Sequence, residues 1–585
     1  MRNGMQRLRT TLVWACVFAC PIDAALAQEV PASRVAPAPS QVEPPTLPAL
    51  PQAAPQIPGI APPEAPAFPE GAEKLSIVLL GFDIEGEFEE FVAIRRELAA
   101  PLIGRRVSVA ELFTFATKLQ EAYVRAGYLL VRVVVAPQEL NEQARVRIQV
   151  IDGFIERIDI TALPGPVKAR VSAVLQPLYR KNHLLQRELE RRLLLAGDTP
   201  GLELRTTFAA GEEIGGSILI LAGVYRPVSA SAYSDNAMPI TFGTTQGVAL
   251  LGFNSVFGLG EQISVSATGF PSGNFGTEFP TRRFLQGSGT VPIGIDGLRL
   301  VMTTTDGRTT PNVPALAATQ GVFRQSSVIL AYDAIRSRDV QLVFSGRFDK
   351  TYERIDTLVL NPPVSLSLDE VRPIRGSIDG NWRLRDTDTT IFFTTTVSRG
   401  LNALGARTIA DATPELPLSR QGADAVFTKL NAGFGILQSL PSDFFVATTA
   451  YAQSSFNRPL LTSEQFDIVG PKMLSGFTAG ALPGDSAWVV RTEVGHLTLV
   501  PMGTGGINIT RYVFGATGER LFYQPTAVEL GSVHASNYGI GMRFISTRWA
   551  EFMPNSYSFI EASRRTSTNP VLEGWRVFGG MLLQY

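Results

Sequence analysis

The spacing of hydrophobic positions changes along the chain and divides it into two regions. Between residues 75 and 222, apolar runs typical of strands are interleaved with segments of helical period. Beyond residue 224 the helical period disappears, and short runs of alternating apolar and polar residues are separated by turn residues. The pattern therefore predicts an α/β region followed by an all-β region.

The α/β region contains one order of elements twice. The first unit is predicted as a strand at 75–81, helices at 87–98 and from the capping box Ser108–Glu111 to Gly127, and strands at 128–136 and 145–151. The second unit is predicted as a strand at 154–160, helices at 167–179 and 185–196, and strands at 202–208 and 217–221. Two β-α-α-β-β units of about 75 residues are an internal repeat, which predicts two domains of similar fold.

The all-β region has the pattern of a transmembrane barrel. Its apolar positions alternate with polar ones, as in Ile263, Val265 and Ala267 or Tyr538, Ile540 and Met542. In a barrel the apolar set faces lipid and the other set faces the lumen. The alternative is a soluble β-sandwich, which the length of the region without a domain break disfavours.

The last strand ends on an aromatic residue. Its apolar positions are Val577, Met581, Leu583 and Tyr585, with Gly579 in step. Such an end is typical of the closing strand of an outer-membrane barrel, and it resembles the signal by which barrel-assembly machinery recognises its clients. These four residues are the predicted assembly signal.

The first 27 residues are predicted to be a secretory signal peptide. Arg2, Arg7 and Arg9 precede an apolar stretch at 10–20, and Ala25-Leu26-Ala27 is a small-x-small cleavage site. A lipoprotein signal ending at Cys20 is a weaker alternative, since the residues before it match that pattern poorly. Cys16 and Cys20 are the chain's two cysteines, so the mature protein has neither a disulfide nor a thiolate site.

Residues 28–73 are predicted to be a proline-rich, disordered linker. Of the 40 prolines, 13 lie between Pro31 and Pro69, where they disfavour both helix and sheet. We interpret this segment as an extended tether. The alternative, a docking site for a periplasmic partner, has no support in the sequence.

Composition narrows the functional classes. Charged residues make up 18% of the chain, against about a quarter in soluble domains, and hydrophobic residues make up 45%. The formal net charge of −1 argues against nucleic-acid binding, which usually requires a basic excess. The mature chain has no apolar run long enough for a transmembrane helix, so a closed barrel is the expected way to satisfy its backbone in lipid.

Several ordered motifs carry a family resemblance. Ala126-Gly127-Tyr128, Ala136-Pro137-Gln138-Glu139-Leu140 and Asp152-Gly153-Phe154-Ile155-Glu156 resemble the first POTRA domain of two-partner secretion transporters, the TpsB proteins related to haemolysin activators and filamentous-haemagglutinin transporters. The barrel region is similar to the same family at Ser234-Asp235-Asn236, Ile335-Arg336-Ser337-Arg338, Ser463-Glu464-Gln465-Phe466 and Gly484-Asp485-Ser486.

The resemblance implies POTRA 1 at 74–153, POTRA 2 at 154–222 and an outer-membrane barrel of about 16 strands at 223–585. It implies that the POTRA domains lie in the periplasm, capture an unfolded TpsA-like exoprotein and pass it through the barrel without a nucleotide, metal or other cofactor. The implied substrate-binding residues are Gly127, Tyr128, Pro137 and Gln138. Alternative functions are a barrel-assembly factor of the same superfamily and a porin-like channel.

Two motifs of the superfamily are altered here. A loop folded into the lumen is expected to carry a V-R-G-Y/F tip whose arginine pairs with the aspartate of an F-x-D-x-G wall motif. The tip here reads Leu474-Ser475-Gly476-Phe477, and the wall reads Phe514-Gly515-Ala516-Thr517-Gly518. Both members of the pair are replaced together, which avoids leaving one buried charge alone. The resemblance thus predicts Ser475 near Ala516 without an ion pair between tip and wall, and Lys472 or Arg491 as a substitute cation.

Enzymatic chemistry is not expected. Gly484-Asp485-Ser486 matches the start of a Gly-Asp-Ser esterase motif, with His496 ten residues later, but it lies between predicted strands. The three histidines, His183, His496 and His534, have no metal-ligand spacing.

Overall fold

A computed structural model describes residues 36–44, 72–139, 141–270, 272–314, 318–502, 505–527, 529–546 and 555–585. The predicted signal peptide, most of the predicted linker and Leu140 lie outside these ranges. Within them, no helix combines the length and the apolarity needed to cross a membrane.

The first domain is a four-stranded sheet covered by two helices. Its elements are β1 (Ser76–Glu85), α1 (Val92–Ala99), β2 (Arg106–Ser108), α2 (Val109–Arg125), β3 (Arg132–Val135) and β4 (Gln143–Ile151). The strand order is β2-β1-β4-β3, and only the central pair β1 and β4 is parallel. The predicted capping box is confirmed: Glu111 N–H donates to Ser108 Oγ at 3.2 Å, and Ser108 N–H donates to Glu111 Oε2 at 2.8 Å.

Helix α2 packs its predicted apolar face against this sheet. Five residues of this face are buried: Leu112, Phe115, Ala116, Leu119 and Tyr123. The strand predicted at 128–136 is shorter, because Tyr128 packs instead among the rings of Phe88, Phe91 and Tyr123. Strand β2 was not anticipated, since three residues directly before a helix cap carry no alternation.

The second domain repeats the arrangement with three strands. Its elements are β5 (Phe154–Ala162), α3 (Gly165–Leu175), α4 (Gln186–Gly197), β6 (Leu202–Ala210) and β7 (Gly216–Tyr225), in the sheet order β5-β7-β6. Strand β7 runs three residues past the predicted boundary at 222, because Gly223–Tyr225 pair with Leu202–Leu204. The barrel then begins at Val228.

The remaining strands close an antiparallel barrel. They are β8 (Val228–Asp235), β9 (Gln246–Asn254), β10 (Gln262–Phe270), β11 (Arg282–Ile293), β12 (Leu298–Thr309), β13 (Thr319–Arg336), β14 (Val340–Thr357), β15 (Val364–Val371), β16 (Pro373–Leu384), β17 (Thr389–Gly400), β18 (Thr428–Ser439), β19 (Phe444–Ser454), β22 (Ser486–Met502), β23 (Gly505–Leu521), β24 (Ser532–Ser546), β25 (Asn555–Ser567) and β26 (Gly574–Gln584). The two-residue strands β20 (Phe466–Asp467) and β21 (Pro483–Gly484) pair with each other in the loop before β22. Because β14 pairs with both β15 and β16, these two form one strand interrupted at Arg372, and the barrel has 16 strands.

The barrel closes between its first and last strands. Residues Ser231–Asp235 of β8 pair with Gly580–Gln584 of β26, and Ala230 and Tyr585 exchange two backbone hydrogen bonds of 3.1 and 2.9 Å. The predicted alternation of β26 is confirmed, because Val577 is 41% exposed on the outer face whereas Phe578 is buried.

The second domain is fastened to the turns at one end of the barrel, here called the proximal end. Arg191 donates to the carbonyl oxygens of Asp296 and Asp333 at 2.8 and 2.7 Å. Arg336 pairs with Asp198 through two hydrogen bonds of 2.9 and 2.7 Å. The opposite end, which carries the longer loops, is the distal end.

Candidate functional site in the barrel lumen

The connection between β19 and β22, residues 455–485, folds back into the barrel and is here called the lumen loop. Its buried apolar residues pack with residues of β22, β23 and β24 in one cluster: Ile468, Leu474, Phe477, Leu482, Ala487, Val489, Ala516, Val533 and Ala535. Gly476 lies so close to the wall that an added Cβ would come within 3.0 Å of Asn537 and Ser563. The tip motif identified in the sequence therefore lies against the wall motif.

Ser475 is held at the tip by wall side chains. Its hydroxyl donates to Glu561 Oε2 at 2.5 Å and accepts from Arg491 Nη1 at 2.8 Å, with Asn537 Nδ2 at 3.4 Å. Ser475 is buried, so these bonds replace its hydration. The described contacts therefore anchor the tip motif to the wall through the neutral hydroxyl of Ser475, where the resemblance would have placed a charged arginine.

The ion pair lies within the wall. Arg491 Nη2 contacts Glu561 Oε1 at 2.7 Å, Arg491 Nε contacts Glu493 Oε1 at 2.8 Å, and the guanidinium stacks 3.8 Å from the ring centroid of Phe514. Arg491 is 1% exposed and lies directly across the β22–β23 ladder from Ala516. Of the two substitute cations considered, Arg491 therefore occupies the position and Lys472 does not, since the Lys472 ammonium lies 5.9 Å from the Phe392 ring.

We call Ser475, Arg491, Glu493 and Glu561 the tip centre. Glu493 also accepts two hydrogen bonds of 2.7 Å from Arg543, and Glu561 accepts one of 2.7 Å from Tyr512. Neither glutamate was predicted from the sequence. The alternation along β22 and β25 could have placed them in the lumen, because each glutamate occupies an inward position between residues that face lipid.

A second polar anchor holds the base of the lumen loop. Glu464 pairs with Arg375 at 2.8 Å and with Lys429 at 2.9 Å, and all three groups lie in the barrel interior. Arg375 also contacts Asp349 at 2.8 Å. We call Glu464, Arg375 and Lys429 the stem centre, and it joins the loop to β16 and β18 by charge.

Neutralising Glu464 is expected to loosen the lumen loop. In Glu464→Gln, Lys429 loses its carboxylate partner in a buried site and Arg375 keeps only Asp349, at a cost of about 3 kcal/mol or more. Single-channel recordings in planar bilayers should show more frequent transitions to a higher conductance than wild type. The matched control is Glu415→Gln, whose side chain is exposed in a distal loop; equal gating in both variants would refute the role assigned to the stem centre.

Part of the predicted linker also lies in the lumen. Residues 36–44 form a 3-10 turn at Pro39–Val42 with extended residues on either side. Val42 packs with Met238 and Phe242, and Gly321 of β13 has no room for a Cβ because Pro39 lies 2.3 Å from where it would be. We call residues 36–44 the lumen segment. They contain one short 3-10 turn and lie against the barrel wall, whereas the sequence predicted an extended tether without helix or strand.

The sequence that resembles an esterase motif has a structural role. Asp485 is fully buried and accepts from Arg420 Nη1 at 2.8 Å and from the backbone N–H groups of Leu460 and Tyr523 at 3.0 and 2.8 Å. Ser486 and His496 lie in one strand ten residues apart, which is roughly 33 Å. They are too far apart to act as nucleophile and base.

The residues predicted to bind substrate in the first domain have visible structural contacts. The Gly127 carbonyl accepts from Gln186 N–H of the second domain at 2.8 Å and so helps to build the junction between the domains, whereas Tyr128 Oη donates to Glu90 of its own domain at 2.7 Å. The Gln138 amide pairs with both backbone groups of Arg147 at 2.8 and 2.9 Å, beside the exposed Pro137. Their contact with substrate stays a prediction.

Candidate metal-binding sites were sought in the part of the chain that the structure describes. No group of three or more His, Cys, Asp or Glu side chains there has a geometry that could hold a metal ion.

Two family models match the chain. Residues 82–153 match the POTRA domain of ShlB type, and residues 215–520 match the haemolysin secretion/activation protein family ShlB/FhaC/HecB. The second match covers more than half of the 585 residues.

Characterised relatives and solved structures agree with these matches. The heme/hemopexin transporter protein HuxB of Haemophilus influenzae is 22% identical over 405 residues, which are 67% of this chain and 67% of the relative. The outer membrane transporter CdiB of Escherichia coli is 22% identical over 407 residues, 68% of this chain and 65% of the relative. The structure of E. coli CdiB superposes with a TM-score of 0.67 at 17% identity over 90% of this chain and 94% of that one, and CdiB from Acinetobacter baumannii with 0.56 at 15% over 87% and 89%. At these identities the structures show a shared fold.

Proposed function

Because this chain belongs to the haemolysin secretion/activation family ShlB/FhaC/HecB, we propose that it exports a specific secreted partner protein through its barrel. Proteins of this family are outer-membrane transporters with periplasmic POTRA domains. The proximal end of the barrel therefore faces the periplasm, and the distal end faces outward. The observation that carries the proposal is a barrel lumen occupied by two polypeptide segments that contact its wall through polar and apolar side chains, with the second domain docked at the proximal end.

The contents of the lumen suit a transporter that is closed at rest. The lumen loop and the lumen segment occupy the interior, and hydrogen bonds and ion pairs anchor them in addition to the apolar clusters around Leu474 and Val42. Polar anchors of this kind can be exchanged for other polar partners at modest net cost. An arriving polypeptide could therefore replace them.

The partner can be identified directly. Deleting the gene for this chain should remove one large protein from the medium or cell surface, and complementation should restore it. Mass spectrometry of culture supernatants from the three strains measures this, with particular attention to the product of the neighbouring reading frame. Unchanged supernatants would refute export as the function.

Capture of the unfolded partner is proposed to occur at the POTRA sheets. Among the described residues, strands β3 and β6 each pair with one neighbour in their sheets, and the other edge of each is where an extended peptide can join. Pro137 and Gln138 lie at the end of β3, which is consistent with their proposed role as substrate contacts. Lipid contact of the outer barrel face and recognition of the last strand by the assembly machinery belong to the same proposal.

Tyr585→Ala is expected to lower the amount of inserted barrel. The Tyr585 side chain is 63% exposed, whereas the backbone bonds of residue 585 to Ala230 do not depend on it, so the variant removes the aromatic signal and leaves barrel closure possible. Heat-modifiable electrophoretic mobility of outer-membrane fractions measures the folded protein, with Tyr585→Phe as the control. Equal levels of Tyr585→Ala and wild type would contradict the assigned signal.

A further inference from the structure

Two charged wall residues bind the main chain of the lumen segment. Glu353 Oε1 accepts from the backbone N–H of Ser40 at 2.9 Å, and Arg282 Nε donates to the backbone carbonyl of Val42 at 2.8 Å. Glu353 is 2% exposed and Arg282 is 3% exposed. One carboxylate and one guanidinium thus contact an N–H and a C=O two residues apart on the same peptide.

These contacts depend little on which side chains the peptide carries. Every residue except proline offers one N–H and one C=O, so a pair that binds them can accept many sequences. Side chains of the segment add further contacts: the Ser40 hydroxyl donates to Glu353 Oε2 at 2.9 Å, and Pro39 lies against Gly321 of β13. The lumen segment enters and leaves extended, at Ala38 and Glu43, as a polypeptide passing through a pore would.

The site also has unused capacity. Both terminal nitrogens of Arg282, Nη1 and Nη2, are buried and have no hydrogen-bond partner among the described residues. The Arg282 guanidinium lies 5.0 Å from the ring centroid of Phe284, a cation–π distance. A chain with carbonyl groups in other positions can accept from the two terminal nitrogens.

We propose that Glu353 and Arg282 form a main-chain binding subsite for the exported polypeptide, and that residues 40–42 occupy it while no substrate is present. The partner chemistry is an unfolded chain with free backbone N–H and C=O groups, recognised without a specific side-chain motif. This inference rests on the proposed export function, but the test below uses peptides alone and needs no exported protein.

The experiment uses the full chain with residues 36–44 replaced by nine Gly and Ser residues, reconstituted in planar bilayers. The probe is a synthetic peptide of the sequence of residues 36–44, added at increasing concentration while the channel current is recorded. A second peptide carries an N-methyl group on the nitrogen of its serine, which removes the N–H bound by Glu353. A third peptide has the same residues in reversed order.

The main-chain subsite predicts three results. N-methylation should raise the half-blocking concentration at least tenfold. Glu353→Gln should weaken the block by the unmodified peptide and make N-methylation nearly without further effect. The reversed peptide should block within tenfold of the native one, and its block should also weaken in Glu353→Gln.

The control variant is Asp379→Asn, a carboxylate of β16 that accepts from Thr394 and does not contact the lumen segment. It should leave all three half-blocking concentrations unchanged within twofold. The proposal is overturned if N-methylation has the same effect in Glu353→Gln as in the parent chain. It is also overturned if the reversed peptide fails to block, or blocks equally well with and without Glu353. Failure of the export assay would leave these peptide results intact, so the two proposals can fail separately.

Discussion

Arg491→Met is expected to destabilise the folded barrel by about 3–5 kcal/mol and to release the lumen-loop tip. Glu493 would keep Arg543 as its partner, whereas Glu561 would remain buried without a cation. Ser475 would lose the guanidinium that donates to its hydroxyl. Urea-dependent unfolding followed by electrophoretic mobility should show the loss of stability, and bilayer recordings should show higher conductance.

The double variant Arg491→Met/Glu561→Gln separates the ion pair from simple loss of packing. Removing both charges should restore a large part of the lost stability, because neither charge is then left buried alone. Arg458→Met, an exposed arginine of the lumen loop, is the matched control and should be neutral. If the double variant were as unstable as the sum of the single variants, the assignment of Glu561 as the partner would be wrong.

The tip centre also bears on the altered tip and wall motifs. Ser475→Arg alone would place a second guanidinium beside Arg491, so it should loosen the loop. Adding Ala516→Asp supplies a carboxylate across the ladder from Arg491, and it should recover most of the effect. The coupling in single-channel conductance should correspond to about 1 kcal/mol or more. Strictly additive effects would contradict this geometry.

Deleting residues 72–225 should abolish export while leaving an inserted barrel. The barrel closes through β8 and β26, which lie outside the deletion, and each deleted domain has its own buried core. The amount of partner protein in the medium should fall to the level of a strain lacking the transporter. Folded barrel is measured in parallel by heat-modifiable mobility.

A milder variant tests whether the position of the domains matters in addition to their presence. Asp198→Asn with Glu190→Gln weakens the contacts of the second domain to Arg336 and Arg338 and retains both domains. Export should be reduced but detectable. For the deletion of residues 72–225 described above, full export would refute the role of the domains in substrate capture.

The periodic features of the fold could be predicted because they depend on neighbouring residues. Alternation along a strand fixes which side chains face lipid. The alternating positions Ile263 and Val265 therefore predicted the outer face of β10, where both are exposed. The capping box at Ser108 fixed the start of α2 in the same way. Element ends were less accurate, since the last residues of β7 are strand only because β6 pairs with them.

The site could be predicted only in part. Resemblance to a short family motif located the loop tip at Ser475. Arg491 was one of the two residues named as a substitute cation. Glu561 joins them across 86 residues of chain, and that contact requires the register of three intervening strands. The lumen segment was missed because its composition specifies the absence of regular structure and not the cavity that receives it.

The docking of the second domain limits how this protein can be recombined with its relatives. Arg191 of the domain and Arg336 of the barrel each reach across the junction, so neither half contains all the groups that hold it. A chimaera made by exchanging the POTRA domains alone would separate these partners. The smallest module that can be grafted intact is therefore the second domain together with the barrel turns around Asp296 and Arg336.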